Sequence, residues 1–448
     1  MQQFSMLFDS FSSVFTSPSF LHFQALVISL WALPLLTGGR MSLARIWLAG
    51  GVSQHWDAPL RFVRAYVWDK DELARSLTLF VLERVKDGLP RSAQDGRKLL
   101  LIGVDETGDE HPSAKKMFGV SKHHHHSARV GQSKYRRGHC WVTLSVLTDI
   151  SSVYVRSFAI NIALYVARKS CAAAKYKSKR ELATEMLDKL AQWVGWQYQI
   201  VVVGDAYYAC RPWIAEQREK QRRVVTRLRA DARLFELPPE KRRKSRGRPK
   251  IYGPKICLWR RALSDQKFEA EEEVVVYGRK HTARLRKMIC RWRGLPDPVS
   301  VVIVKGIGKR PVYLLDTDKD ASAKETLLFY ATRHAVEQPY EDLKCDGGLG
   351  HYLGRTEQGV RRFAMLSVTS HTLLRLIEVV PELRAALPQV DEPWRKKLEH
   401  LTTGQIRMAV SKLLLEEHNR SGNFFNFGKQ AQAGDNSERI EARRKKAA

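Results

Sequence analysis

Residues 1–95 carry apolar side chains at helical spacing. SPSFLHFQALVISLWAL and DELARSLTLFVLERV each begin with Ser or Asp and continue as an i, i+3, i+4 apolar stripe. Gly38, Gly39 and the pair Gly50, Gly51 interrupt them. SLARIWLAGG with HWDAPLRFVRAYVW after it has the form of a helix-turn-helix, and serves equally as a helical cap on the next domain. From Lys98 the period changes. LLLIGVDET is a short apolar run closing on Asp105, the pattern of a buried strand. CWVTLSVLTD and SVYVRSFAIN predict two more strands, joined by a turn near residues 149–152. KRELATEMLDKLAQWV (179–194) is an amphipathic helix. QIVVVGDAYYA is a second buried strand ending on an acid, Asp205, and RRVVTRLR (222–229) a further strand.

Three strands, a helix, a strand and another strand, with acids closing the first and fourth, is the order of a ribonuclease H-like α/β core. In that fold the first and fourth strands are neighbours, so the two carboxylates meet. Residues 230–318 interrupt the order. They open on ELPPEKRRKSRGRPKIYGPK and continue through the strand-like runs EEEVVVYG, PVSVVIVKG and RPVYLLDTD, which predicts a mostly-β insertion. The expected organisation is a helical N-terminal domain (1–95) of DNA-binding type and a core in two parts (96–229 and 319–385). The basic β-rich insertion (230–318) separates these parts. A helical C-terminal region with a basic disordered tail (386–448) completes the chain.

Charge narrows the partner. Of 448 residues 76 are Lys or Arg and 47 Asp or Glu, a net +29. Residues 241–310 hold 21 basic and 6 acidic side chains, about half of the excess. Such a field selects a polyanion, and nucleic acid before a membrane surface. The longest apolar stretch, residues 25–36, is too short to span a bilayer, contains Pro34 and reads as a buried helix. No basic region precedes it, so it does not read as a signal peptide. The six cysteines are scattered without zinc spacing, as expected of a reduced cytoplasmic, nucleoid-associated protein.

The candidate chemistry centres on YATRHAVEQPYEDLK. At about 100° per residue, Tyr330, Arg333, Glu337 and Lys344 fall within roughly 60° of one another on a continuous helix. That face would carry a phenol, a guanidinium, a carboxylate and an ammonium where a core-facing stripe would be apolar. Pro339, two residues after Glu337, breaks that regularity and threatens the placement of Lys344 most. Asp105, Asp205 and Glu337 together suit two hard divalent cations, Mg²⁺ or Mn²⁺.

Spaced as Tyr, two residues, Arg, three residues, Glu, six residues, Lys, these four positions match without a gap the YREK signature of a group of DDE transposases from bacterial insertion sequences. GVDET (103–107) resembles that family's first-aspartate segment and VVGDAYYA (202–209) its second. RLRADARLFELPP with GRPKIYG is similar to a stretch just after its fifth core strand. The resemblance covers roughly residues 98–380. It implies a Mg²⁺- or Mn²⁺-dependent cut-and-paste transposase with Asp105, Asp205 and Glu337 as metal ligands. Tyr330, Arg333 and Lys344 would hold DNA phosphates. Terminal inverted repeats and target DNA would be the partners, and pairing two ends implies a homodimer. The rival readings are a catalytically silent DNA-binding protein derived from a transposase, and a stand-alone metal-dependent endonuclease.

Three further features invite DNA roles. Arg246 and Arg248, in RGRP, resemble the core of a minor-groove hook, against a plain basic linker. Trp292, between two arginines, could stack on a base, against burial in the insertion. The four histidines at 123–126 read as a solvated loop beside DNA.

Overall fold

The computed structural model describes residues 4, 6–36, 42–49, 56–124, 131, 133–238, 250–264, 268, 271–345, 347–388 and 400–421. In chain order the N-terminal helices are α1 (Ser17–Leu36), α2 (Leu43–Ala49), α3 (Ala58–Arg64) and α4 (Lys70–Val85). Next come β1 (Lys98–Gly108), the hairpin β2 (Ser121–His124) and β3 (Tyr135–Gly138), then β4 (Cys140–Thr148) and β5 (Arg156–Tyr165). Helix α5 (Lys179–Val194), β6 (Tyr198–Gly204), α6 (Arg211–Glu219) and β7 (Arg223–Arg227) complete the first half.

The second half contains β8 (Leu234–Phe235), β9 (Lys255–Ile256), α7 (Leu258–Leu263), β10 (Glu272–Val276), β11 (Arg279–Trp292), β12 (Val299–Lys305) and β13 (Val312–Asp316). It closes with α8 (Ala323–Ala331), a 3₁₀ segment (Thr332–Val336), α9 (Glu337–Cys345), α10 (Glu357–Leu376), α11 (Pro381–Ala386) and α12 (Thr403–Ser421).

One mixed sheet organises these elements, in the order β5-β4-β1-β6-β7-β13-β12-β11-β8-β9, with β10 paired to β11. β1, β6 and β7 run parallel; on the other side of β1, β4 runs antiparallel to it and β5 antiparallel to β4. That is the strand arrangement of a ribonuclease H-like core. Helix α5 is specified locally: Ser178 and Glu181 form a reciprocal capping box, and Leu182, Met186, Leu187 and Leu190 bury one face. Such a cap contributes about 1 kcal/mol.

Strand alternation divides the core in two. Leu100, Ile102 and Val104 face the larger cluster, shared with α1, α4, α5 and α10. Leu99 and Leu101 face a second cluster roofed by α8 and the 3₁₀ segment, with Val201, Val203, Val336 and Tyr340. The N-terminal helices share the larger cluster. α1, α3 and α4 pack against α10, and α4 also against β5. Phe62 and Val63, in the segment that could form a helix-turn-helix or a cap, are fully buried in the core that α3 shares with α10. Residues 25–31 of α1 are buried, and no helix among the described residues is long and apolar enough to cross a membrane.

The strands expected as an insertion do not stack as a separate sheet. β13 pairs with β7, and β12 and β11 extend the sheet outward from it. A buried bidentate ion pair ties that seam: Arg223 Nε and Nη2 lie 3.0 and 2.7 Å from the two carboxylate oxygens of Asp316. β11 (RKHTARLRKMICRW) escapes a hydrophobicity scan because basic residues line much of it. The His run departs from a loop at its start. His123 and His124 lie in β2, paired with Arg136 and Tyr135 of β3; residues 125 and 126 lie outside the described residues.

Candidate active site

β1 and β6 bring the first two acids together. Val104 pairs with Gly204 in parallel register, which sets Asp105 and Asp205 side by side on strands about 4.8 Å apart. Both project to the face carrying Leu101 and Val203. Asp205 comes directly after the last residue of β6. There its carboxylate accepts from the Tyr207 N–H at 2.9 Å and its carbonyl from the Thr226 hydroxyl at 2.7 Å. The Asp105 carboxylate accepts from the Glu106 N–H at 2.8 Å.

The third acid arrives from far along the chain. The continuous helix expected from Tyr330 to Lys344 is not what forms. α8 ends at Ala331, residues 332–336 tighten to a 3₁₀ turn, and α9 begins at Glu337. Pro339 thereby falls in the first turn of α9, where its missing N–H has no partner to lose. The Glu337 carboxylate stands at the positive end of that helix. Glycine allows the approach: a Cβ on Gly103 would collide with Val336 Cγ2 and lie 3.2 Å from Leu147 Cδ1. The 3₁₀ turn therefore rests directly on β1, two residues from Asp105.

Arg333 joins the acids. Its Nη1 donates to Asp105 Oδ2 and its Nη2 to Glu337 Oε1, both at 2.8 Å. A cation thus already bridges two of the three carboxylates. Burial raises the Asp105 carboxyl to about 6, against the opposing pull of Arg333, and neighbouring Asp205 adds to the rise. Asp105 and Asp205 on neighbouring strands, with Glu337 tied to Asp105 through Arg333, are hard oxygen donors, the ligand type that divalent cations such as Mg²⁺ take.

Tyr330 is buried at 7% exposure, with its phenol pushed up by burial and Arg333, Tyr277 and Arg227 around it. Lys344 is half-buried in the last turn of α9, seven residues from Glu337. It keeps to nearly the same helix face, about 10 Å along the axis. The Arg333 guanidinium and the Glu337 carboxylate meet across the break between segments, and Tyr330 lies a segment earlier. Trp292 is enclosed in the larger core at 8% exposure, paired at Leu234, and offers no face for a base. Arg246 and Arg248 lie outside the described residues.

Several neighbours were not found by sequence reasoning. Glu106 points to the opposite face and pairs with Lys179 of α5. Tyr340, buried beside Asp105, shares a hydrogen bond with Thr143. Tyr277 and Gly278, both at positive φ, turn the β10–β11 hairpin and bring Tyr277 against His334 with ring centroids 5.7 Å apart. The Tyr-Gly pair between VVV and RK was a local signal for that turn. Nothing local marks the others.

No curated protein matches this sequence. The family model of the DDE superfamily endonucleases matches residues 22–294, more than half of the chain. The match takes in Asp105, Asp205 and most of the sheet around them and ends ahead of Glu337, which Arg333 ties to Asp105. The chain belongs to the DDE superfamily of endonucleases.

Proposed function

We propose that this protein is a DNA transposase of the YREK-signature kind, which cuts the ends of its element and joins the freed 3′ ends to target DNA. The observation that supports it is the placing of two carboxylates on adjacent parallel strands, with a third, from the segment that carries the rest of the signature, joined to the first through Arg333. Two Mg²⁺ or Mn²⁺ ions held by Asp105, Asp205 and Glu337 would activate a water or a 3′-hydroxyl and neutralise the leaving oxygen.

The chain's own residues bind and orient. Arg333 holds Asp105 and Glu337 together and offsets their charge and, once released from them, would be placed to take a phosphate oxygen. Lys344 lies along the strand path on the same helix face as Glu337. Arg227, exposed at the end of β7, adds positive charge near Tyr330. The partners in this reading are the element's terminal inverted repeats and target DNA, bound by a homodimer that pairs two ends.

A nicking and strand-transfer assay on end-containing DNA tests it. With Mg²⁺ the wild type should cut and join, and Asp105→Ala, Asp205→Ala and Glu337→Ala should each lose at least about 10³-fold in cleavage. Full activity in any one of them would sink the assignment. Cutting without joined product would leave a stand-alone endonuclease. DNA binding with no cleavage in either ion would leave a silent DNA-binding protein.

A further inference from the structure

Beyond the three acids lies a second cluster of ligand-type side chains. Asp109 comes just after β1, and His139 just before β4. The antiparallel register that pairs Gly108 with Cys140 places them opposite each other. His111 completes the group, two residues past Asp109. All three are buried, at 3–4% exposure, and one ligand atom from each lies within 4.8 Å of the others.

The hydrogen bonds fix the chemistry of the imidazole. His139 Nε2 lies 2.9 Å from the Phe118 carbonyl, which can only accept, so Nε2 carries the proton. Its Nδ1 then turns toward Asp109, 3.2 Å from Oδ1 and 3.3 Å from Oδ2. His111 Nε2 lies 3.5 Å from the same Oδ1. An imidazolium bound to a carboxylate should close to about 2.7–2.9 Å. A neutral Nδ1 would set a lone pair against a carboxylate in a buried space. Instead, the two Asp109–imidazole separations are close to the ligand–ligand edge of a tetrahedral site, about 3.4 Å for bonds near 2.1 Å.

The surroundings are those of a metal ligand set. The Phe118 carbonyl orients His139 from behind, and Asp109 accepts from Trp141 Nε1 at 2.9 Å and from the His139 N–H at 2.8 Å. The backbone closes over the group: a Cβ at Gly350 would come within 2.9 Å of Asp109 Cβ.

We propose that Asp109, His111 and His139 bind one Zn²⁺-class ion through three protein ligands, with a water completing the tetrahedron, at a site separate from the catalytic acids. Two imidazoles and a single carboxylate suit Zn²⁺ rather than Mg²⁺, which asks for an octahedron of oxygens. Along the strand the site lies about 13 Å from Asp105. The ion cross-links the segment after β1 to the start of β4, and so clamps the strand pair that presents Asp105.

Metal content of the full chain, purified without a histidine tag, tests this apart from any DNA reaction. After desalting, the wild type should hold one equivalent of zinc. Replacing it with Co²⁺ should give the visible d–d absorption of a tetrahedral site. The double variant Asp105→Asn/Glu337→Gln and a variant with the histidines at 123–126 changed to serine should keep the full equivalent. His111→Gln and His139→Gln should lose it, and Trp141→Phe should weaken zinc binding about 10–100-fold. The proposal is overturned if the wild type neither retains zinc nor takes up Co²⁺ at micromolar concentration. It is equally overturned if His139→Gln keeps a full equivalent, or if the equivalent disappears with the catalytic acids or the histidine run. Should the ligand variants fail to fold, the stoichiometry and Co²⁺ spectrum of the wild type decide.

Discussion

Asp105 concentrates the electrostatic problem of the site. Its side chain is 14% exposed, burial is the largest influence on it, and its carboxyl titrates at about 6 despite Arg333. Linkage sets the sign. A folded pKa above the unfolded value means that the folded chain holds the proton more tightly. Metal-free protein should therefore lose stability as pH rises from about 4 to about 6, and no further above. Two pKa units correspond to about 3 kcal/mol. Asp105→Asn removes the ionisation, so the metal-free variant should gain on wild type across that window and keep its advantage to pH 8. Denaturant unfolding at pH 4, 5, 6 and 8 measures it; a difference between the two proteins that does not change with pH would refute it. Asp105 was visible in the sequence as an acid closing an apolar run, and its raised pKa was not, because burial and the placement of Arg333 arise only on folding.

At the scale of elements, the break between α8 and α9 decides the site. A single helix through Tyr330 and Lys344 would carry Pro339 in its interior, at a cost of about 3 kcal/mol. Restarting the helix at Glu337 avoids that cost and turns the carboxylate toward β1. Its seat is the bare backbone of Gly103. Gly103→Ala should push Val336 and Glu337 away, costing about 1–3 kcal/mol in stability. Cleavage should fall by up to about 10²-fold. Val336→Ala in the same chain should restore part of both, since it removes the methyl that clashes. Thermal unfolding and nicking rates of the single and double variants check this; a Gly103→Ala protein with unchanged cleavage would show that the close approach does not position Glu337. The motif spacing was readable along the chain, whereas the break in the helix was legible only as a warning at Pro339.

Over the whole molecule, charge and topology act together. The excess of +29 is concentrated in residues 241–310, and the described part of that stretch extends the sheet that carries the acids. DNA affinity should therefore fall steeply with salt, with a log–log slope of about −6 to −9 for seven to ten phosphate contacts. Arg246→Ser/Arg248→Ser should reduce its magnitude by about 1–2. Fluorescence anisotropy between 50 and 300 mM salt measures it, and an unchanged slope would remove those arginines from the interface.

Local physics was enough to place the strands of the core, the amphipathic helix before Gly195 and the two aspartates at the ends of their strands, because periodicity, caps and spacing are properties of neighbouring residues. Folding decided what depends on residues far apart in the chain. It made one sheet of the core and the expected insertion, and set Arg333 between Asp105 and Glu337 across 228 residues. It also buried Trp292 and closed Asp109 and His111 on His139. Backbone pairing fixes such distances only when β1, β4 and β6 come into register, and no window of sequence contains all three.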